Sequence, residues 1–242
     1  MHFSPVAFYL TIIVPCLALP NIFKRCKIDD DKCLKSSVEY AISNLGNGLE
    51  ELKIGPLDPL VLPAIEVQAI PGPISLYQKY SNGMYRNFTQ LKVVQFKVDL
   101  DKCQMYLEAF LPTIFFSGDY SIKGRLFLLE IDSDGTVTGT STNSTLFANM
   151  TCVKYQQNNN QHIKVTDLQA NFVWGEILIH FGDVFKGNDK LNEEFDKSVN
   201  ENIAAFLEIL KEDEMEILGA LIKDYANKVF STYSVSEIFE MS

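Results

Sequence analysis

The side chains that most often do chemistry are thinly spread through this 242-residue sequence. Beyond His2, only His162 and His180 carry an imidazole, and neither sits beside a Ser or Cys in a pattern that would make it a general base. No Gly-x-Ser-x-Gly elbow is present, since Gly139-Thr140-Ser141-Thr142 runs on into Asn143. Glu130, Asp132, Asp134 and Gly135 are spaced like the start of a calcium loop. The twelfth position is Ser141 rather than a bidentate Glu, however, and strand-like sequence flanks the run, which reads as a hairpin turn. Paired carboxylates are common in a chain with 31 Asp and Glu against 21 Lys and Arg, so they point to no particular site. The residues predict no enzyme, no catalytic group, no metal and no cofactor.

The cysteines suit a different chemistry. Residues 6–19 form an apolar run with the small residue Ala18 near its end, so 1–18 read as a signal peptide although no Lys or Arg precedes the run. A membrane anchor is the competing reading, but the run is shorter than the ~20 residues that a spanning helix needs. Removing Cys16 with the leader leaves Cys26, Cys33, Cys103 and Cys152, an even number suited to two bridges in a secreted protein. Three pairings exist in principle. Cys26 with Cys33 and Cys103 with Cys152 is favoured because the first pair closes a small loop before a helix. No second Cys or His stands beside Cys103 or Cys152 to build a zinc site. Sequons at Asn87, Asn143 and Asn149 predict surface segments open to glycosylation. A formal charge of −10 repels phosphate backbones and anionic head groups, which excludes nucleic acid as a partner and disfavours membrane insertion.

The pattern of elements is helix, sheet, helix. Leu34, Val38, Ala41, Ile42, Leu45, Leu49 and Leu52 recur at helical spacing behind Asp29, Asp30 and Asp31, whose charges suit a helix N-terminus. Pro56, Pro59 and Pro63 end that pattern, and the Pro71-Gly72-Pro73 turn leads into extended segments. Strands are predicted at 91–100, 103–116, 120–131, 136–142, 146–155 and 162–181. Alternation such as Val94, Phe96, Val98 and Leu100 against Gln95, Lys97 and Asp99 gives one wet face and one dry face. The polar run 156–161 reads as a mobile loop. Leu191, Phe195, Val199, Ile203, Phe206, Leu210, Ile217, Leu221, Tyr225 and Val229 form one stripe over 188–233, which predicts a continuous helix of about 60 Å at ~1.5 Å per residue. Glu212, Asp213, Glu214 and Glu216 within it read as its solvated side, a kink being the alternative.

A set of ordered motifs resembles one family. Leu19-Pro20, Cys26, Cys33, Gly48-Leu49-Glu50-Glu51-Leu52, Pro56-Leu57-Asp58-Pro59-Leu60 and Tyr120-Ser121-Ile122-Lys123-Gly124 come first. Phe185-Lys186-Gly187-Asn188-Asp189-Lys190-Leu191, Asn200-Glu201-Asn202 and the ending from Val229-Phe230-Ser231 to Ile238-Phe239 complete the set. Together they resemble the takeout and haemolymph juvenile hormone binding protein family of insects over nearly all of the mature chain. Glu50 stands where many members have proline, and Asp132-Ser133-Asp134-Gly135 replaces a more glycine-rich turn. The resemblance implies an α+β fold, a long C-terminal helix wrapped by a strongly curved antiparallel sheet, related to one half of bactericidal/permeability-increasing-type proteins. It also implies an internal tunnel for a terpenoid, fatty acid or similar lipid, and an amino-terminal bridge at Cys26 and Cys33. It transfers neither hormone specificity nor the second bridge.

The expectation is thus a secreted carrier in which residues 19–242 form one ligand-binding domain. Its tunnel is expected to be lined by Phe96, Tyr106, Phe110, Phe115 and Trp174 from strands and by Phe195, Val199, Ile203, Phe206 and Leu210 from the final helix. The Tyr106 hydroxyl is placed to fix a ligand's polar end. Burying about 400 Å² of ligand at ~25 cal/mol per Å² gains about 10 kcal/mol before the cost of association. The alternative is an interaction module with a filled core that docks a protein receptor.

Overall fold

The computed structural model describes residues 18–69 and 71–240; the signal peptide expected at 1–18 lies outside them except for Ala18. In chain order the elements are β1 (Cys26–Lys27), α1 (Asp31–Ser43), a 3-10 turn (Glu50–Leu52), β2 (Leu60–Val61), β3 (Ile65–Val67), β4 (Ile74–Arg86) and a second 3-10 turn (Phe88–Gln90). There follow β5 (Lys92–Asp99), β6 (Gln104–Leu126), β7 (Leu129–Gln157), β8 (Asn160–Val173) and β9 (Glu176–Phe181). The chain ends with α2 (Asp189–Glu201), α3 (Ile203–Thr232), α4 (Val235–Ile238) and β10 (Phe239–Glu240).

The sheet runs β2-β4-β6-β7-β8, with β3 also on β4, β5 on β6 and β9 on β7, all antiparallel. Its spine is the β6–β7 hairpin. A straight strand of the 29 residues of β7 would span about 95 Å at ~3.3 Å each, twice the length of α3, so it must bend. One bend is at Asn143, which has φ 57° and lies opposite Pro112, a residue with no N–H for the ladder. The pairing resumes at Thr113, and Leu111 and Ile114, three apart on either side of the bend, are both buried. Curvature brings both ends of the sheet to one helix, because α3 packs along β8 and also reaches β3. The long C-terminal helix against a large antiparallel sheet is the α+β architecture expected from the sequence.

Helical asparagines and a carboxylate close the sheet's open edge. Asn227 accepts from the Val165 N–H at 2.8 Å and donates to its carbonyl at 3.0 Å. Asn200 does the same to Ile179, at 2.8 and 2.7 Å, and Asp196 accepts from the Phe181 N–H at 2.9 Å. These contacts satisfy groups that would otherwise invite pairing with another chain. The first and last strands meet as β1 pairs in parallel with β10, and the Arg25 guanidinium donates to the Ser236 carbonyl at 2.7 Å. The bridges are Cys26–Cys33 and Cys103–Cys152, with Cα separations of 5.7 and 5.1 Å. Cys103→Ser with Cys152→Ser opens a loop spanning 49 residues and is expected to cost about 2–4 kcal/mol in urea unfolding, the Cys26–Cys33 pair less.

Several boundaries differ from the sequence reading. The first helix ends at Ser43 instead of running to Leu52. Gly48, at φ 77°, turns the chain where an added Cβ would lie 2.4 Å from the Ile54 carbonyl oxygen. Leu45, Leu52 and Ile54 then pack with Tyr233 in a small core of their own. Residues 156–161 are not a mobile loop, since β7 and β8 pair out to Gln157 and Asn160. Asn158 and Asn159, both at positive φ, make the two-residue turn between them. Asp132 to Gly135 form no turn either; they lie within β7, with Asp132 ion-paired to Lys123 at 2.9 Å, and the chain reverses at Phe127 and Leu128. The segment 162–181 is two strands in line on β7, broken at Trp174-Gly175, where a Cβ on Gly175 would meet the Thr142 carbonyl oxygen at 2.0 Å. The expected continuous rod breaks at Asn202 (φ −116°, ψ 24°), whose side-chain amide donates to the Ser198 carbonyl at 2.8 Å. The stripe survives this break, with Phe195, Val199 and Phe206 all buried.

Candidate ligand-binding site

Two apolar chambers lie between the helices and the sheet. The larger, about 260 Å³, is bounded by α1 (Leu34, Val38, Ala41), by the sheet (Leu107, Leu146, Met150) and by α3 (Leu218, Ala226, Phe230). Nearly every side chain on its wall is apolar. α1 covers it because Leu34 and Ala41 face inward, while Glu39 accepts from the Val93 N–H at 2.9 Å and fixes the helix to β5. That strand bulges at Val94, which turns Val94 outward and leaves Val93, Phe96 and Val98 directed at α1 and the chamber. The smaller chamber, about 110 Å³, lies toward the other end of α3 among Tyr80, Phe116, Ile179, Phe206 and Leu210.

A narrow space of about 10 Å³ stands between them. Its wall shares Phe88 and Leu218 with the larger chamber and Tyr85, Trp174 and Glu214 with the smaller. Glu214 accepts from the Tyr85 hydroxyl at 2.6 Å. The acidic run is therefore not uniformly solvated: Glu212 and Glu216 are exposed, but Glu214 turns inward. Burial raises its pKa above the ordinary carboxylate value, while hydrogen bonds from Tyr85 and Trp174 pull it back. Burial and the neighbouring carboxylate push the Tyr85 phenol well up. Because the folded value of Glu214 exceeds the unfolded one, the stability gained from its protonated form is full below the unfolded value and is lost as pH rises through the folded value. Glu214→Gln is accordingly expected to lose less stability than wild type as pH rises above the ordinary carboxylate range in urea titrations.

The family model for haemolymph juvenile hormone binding protein matches residues 6–240. The chain belongs to this family. The crystal structure of Epiphyas postvittana Takeout 1 superposes with a TM-score of 0.81 at 18% identity, covering 90% of this chain and 99% of that one, which establishes the shared fold. A lipopolysaccharide binding protein structure matches at a TM-score of 0.39 and 10% identity, over 80% of this chain and 38% of its own, too distant to inform the site. No curated protein sequence matches the chain.

Of the residues expected to line a tunnel in this family member, Phe96 stands on the larger chamber, and Trp174, Phe206 and Leu210 on the smaller. Phe195, Val199 and Ile203 belong to the packed core around Phe181 and line neither chamber. Tyr106, Phe110 and Phe115 are corrections. On β6 the inward residues are Met105, Leu107, Ala109, Leu111 and, past the bend, Ile114, so Tyr106, Phe110 and Phe115 point out of the opposite face. The Tyr106 hydroxyl donates to Glu108 at 3.1 Å, outside both chambers. The sequence reading missed α1 and Tyr85. The inward stripe Leu34, Val38, Ala41 was visible in the sequence, but nothing there placed it over a cavity. His162 is buried with Nδ1 3.2 Å from the Phe230 carbonyl, and exposed His180 is hydrogen-bonded to Asp196.

Proposed function

We propose that the protein is a secreted carrier whose single domain, residues 19–242, takes a hydrophobic small molecule between its helices and sheet. The larger chamber supports this reading most: an apolar space of about 260 Å³ in an interior that packing would otherwise fill. A juvenile hormone-like terpenoid, a fatty acid or a related lipid has the right chemistry, since its binding is driven by desolvation and needs few polar partners. Membership of a haemolymph family and two disulfides favour an extracellular setting. Asn143 and Asn149 are exposed, as glycan acceptors must be, and Asn87 is half-buried.

Organic-solvent extraction of protein purified from its natural fluid, followed by mass spectrometry, tests this directly. A lipid recovered in near-stoichiometric amount supports carriage. Extracts without lipid, together with no binding of added terpenoids or fatty acids, overturn it.

A further inference from the structure

The neck between the two chambers combines features that a plain apolar tunnel does not need. Tyr85, Phe88, Phe172 and Trp174 surround it. Trp174 lies 4.5 Å from Phe172 and 6.2 Å from Tyr85 between ring centroids, and Tyr85 lies 5.9 Å from Phe88. Glu214 enters this ring of aromatics from α3. Among the described residues, no Lys, Arg or His forms an ion pair with it, and its hydrogen-bond donors are neutral. A carboxylate largely withdrawn from water without a counter-charge is costly, and a ligand cation beside it would supply that charge.

We infer that this neck is a cation site for a ligand, and that the carrier proposed above accepts a long-chain primary amine with its ammonium held by Glu214 within the space that Tyr85, Phe88, Phe172 and Trp174 enclose. The inference rests on the carrier reading and sharpens its ligand class. Size favours a primary ammonium over a quaternary one, because a space of about 10 Å³ takes a group of about water's size. The alkyl chain then runs into the larger chamber, where α3 from Leu218 to Phe230 offers about 18 Å of wall at ~1.5 Å per residue. A carboxylate head group would instead set a second negative charge beside Glu214. An alcohol would gain a hydrogen bond to the carboxylate but no charge pairing.

The test compares dodecylamine, dodecanol and dodecanoate on the full delipidated chain, below their aggregation concentrations. Binding is read by calorimetry and by fluorescence of Trp174, the one tryptophan of the sequence. The amine is expected to bind at least about tenfold tighter than either of the others. In Glu214→Gln the amine-to-alcohol ratio is expected to fall to about one. Equal affinities for the three probes in wild type would overturn the inference and leave carriage standing. Tighter binding of the carboxylate would do the same, as would a preference for the amine that survives in Glu214→Gln. Failure of all three to bind would count against the carrier itself. The wild-type comparison decides the matter even if the variant folds poorly.

Discussion

Ala226→Phe is expected to weaken the binding of an alkyl ligand at least about 100-fold. Ala226 sits on α3 on the wall of the larger chamber, which α1 covers. A benzene-sized ring needs a cavity of about 150 Å³, so a phenyl group projecting here takes most of the roughly 260 Å³ a ligand would use. The stability readout separates this effect from damage. Extra atoms in a filled core cost about 1–3 kcal/mol, whereas atoms added to an empty space gain burial. The expected signature is lost binding with an unchanged or higher melting temperature. Retained affinity would show that the ligand does not occupy this chamber.

Phe195→Ala should behave in the opposite way. Phe195 is fully buried on α2, with its ring edge-to-face against Phe181 at 5.4 Å and Phe185 at 6.1 Å. Removing it leaves a hole among rings that cannot all collapse, a loss of about 3–5 kcal/mol in urea unfolding. It borders neither chamber, so the folded variant is expected to bind ligand with wild-type affinity. The pair of variants thus separates core from cavity within the C-terminal helices.

That separation was not legible in the sequence. Periodicity reports which side chains turn inward, and it placed Phe195 and Phe206 correctly on one face of the helices. It cannot report whether the space opposite them is filled, because that depends on strands far away in the chain. Alternation failed on β6 for a related reason: the large aromatics Tyr106, Phe110 and Phe115 look like lining, yet the smaller Met105, Leu107 and Ala109 face inward and leave room for a cavity. The rod's break at Asn202 was hidden because a side-chain amide, not a proline, interrupts it. Glu214 was hidden by its acidic neighbours, since one inward carboxylate among four has no signature of its own. What could be read were features set locally or by strict order: the Cys26–Cys33 bridge, the long stripe and the family, whose resemblance implied the antiparallel sheet.

Calorimetric titration of the delipidated protein with a single alkyl ligand tests the central claim most directly. The account predicts saturable binding of one ligand per chain, with a negative heat-capacity change from burial of apolar surface. It also predicts that Ala226→Phe weakens that binding at least about 100-fold. Absence of saturable binding, or binding with no heat-capacity change that persists in Ala226→Phe, would contradict it.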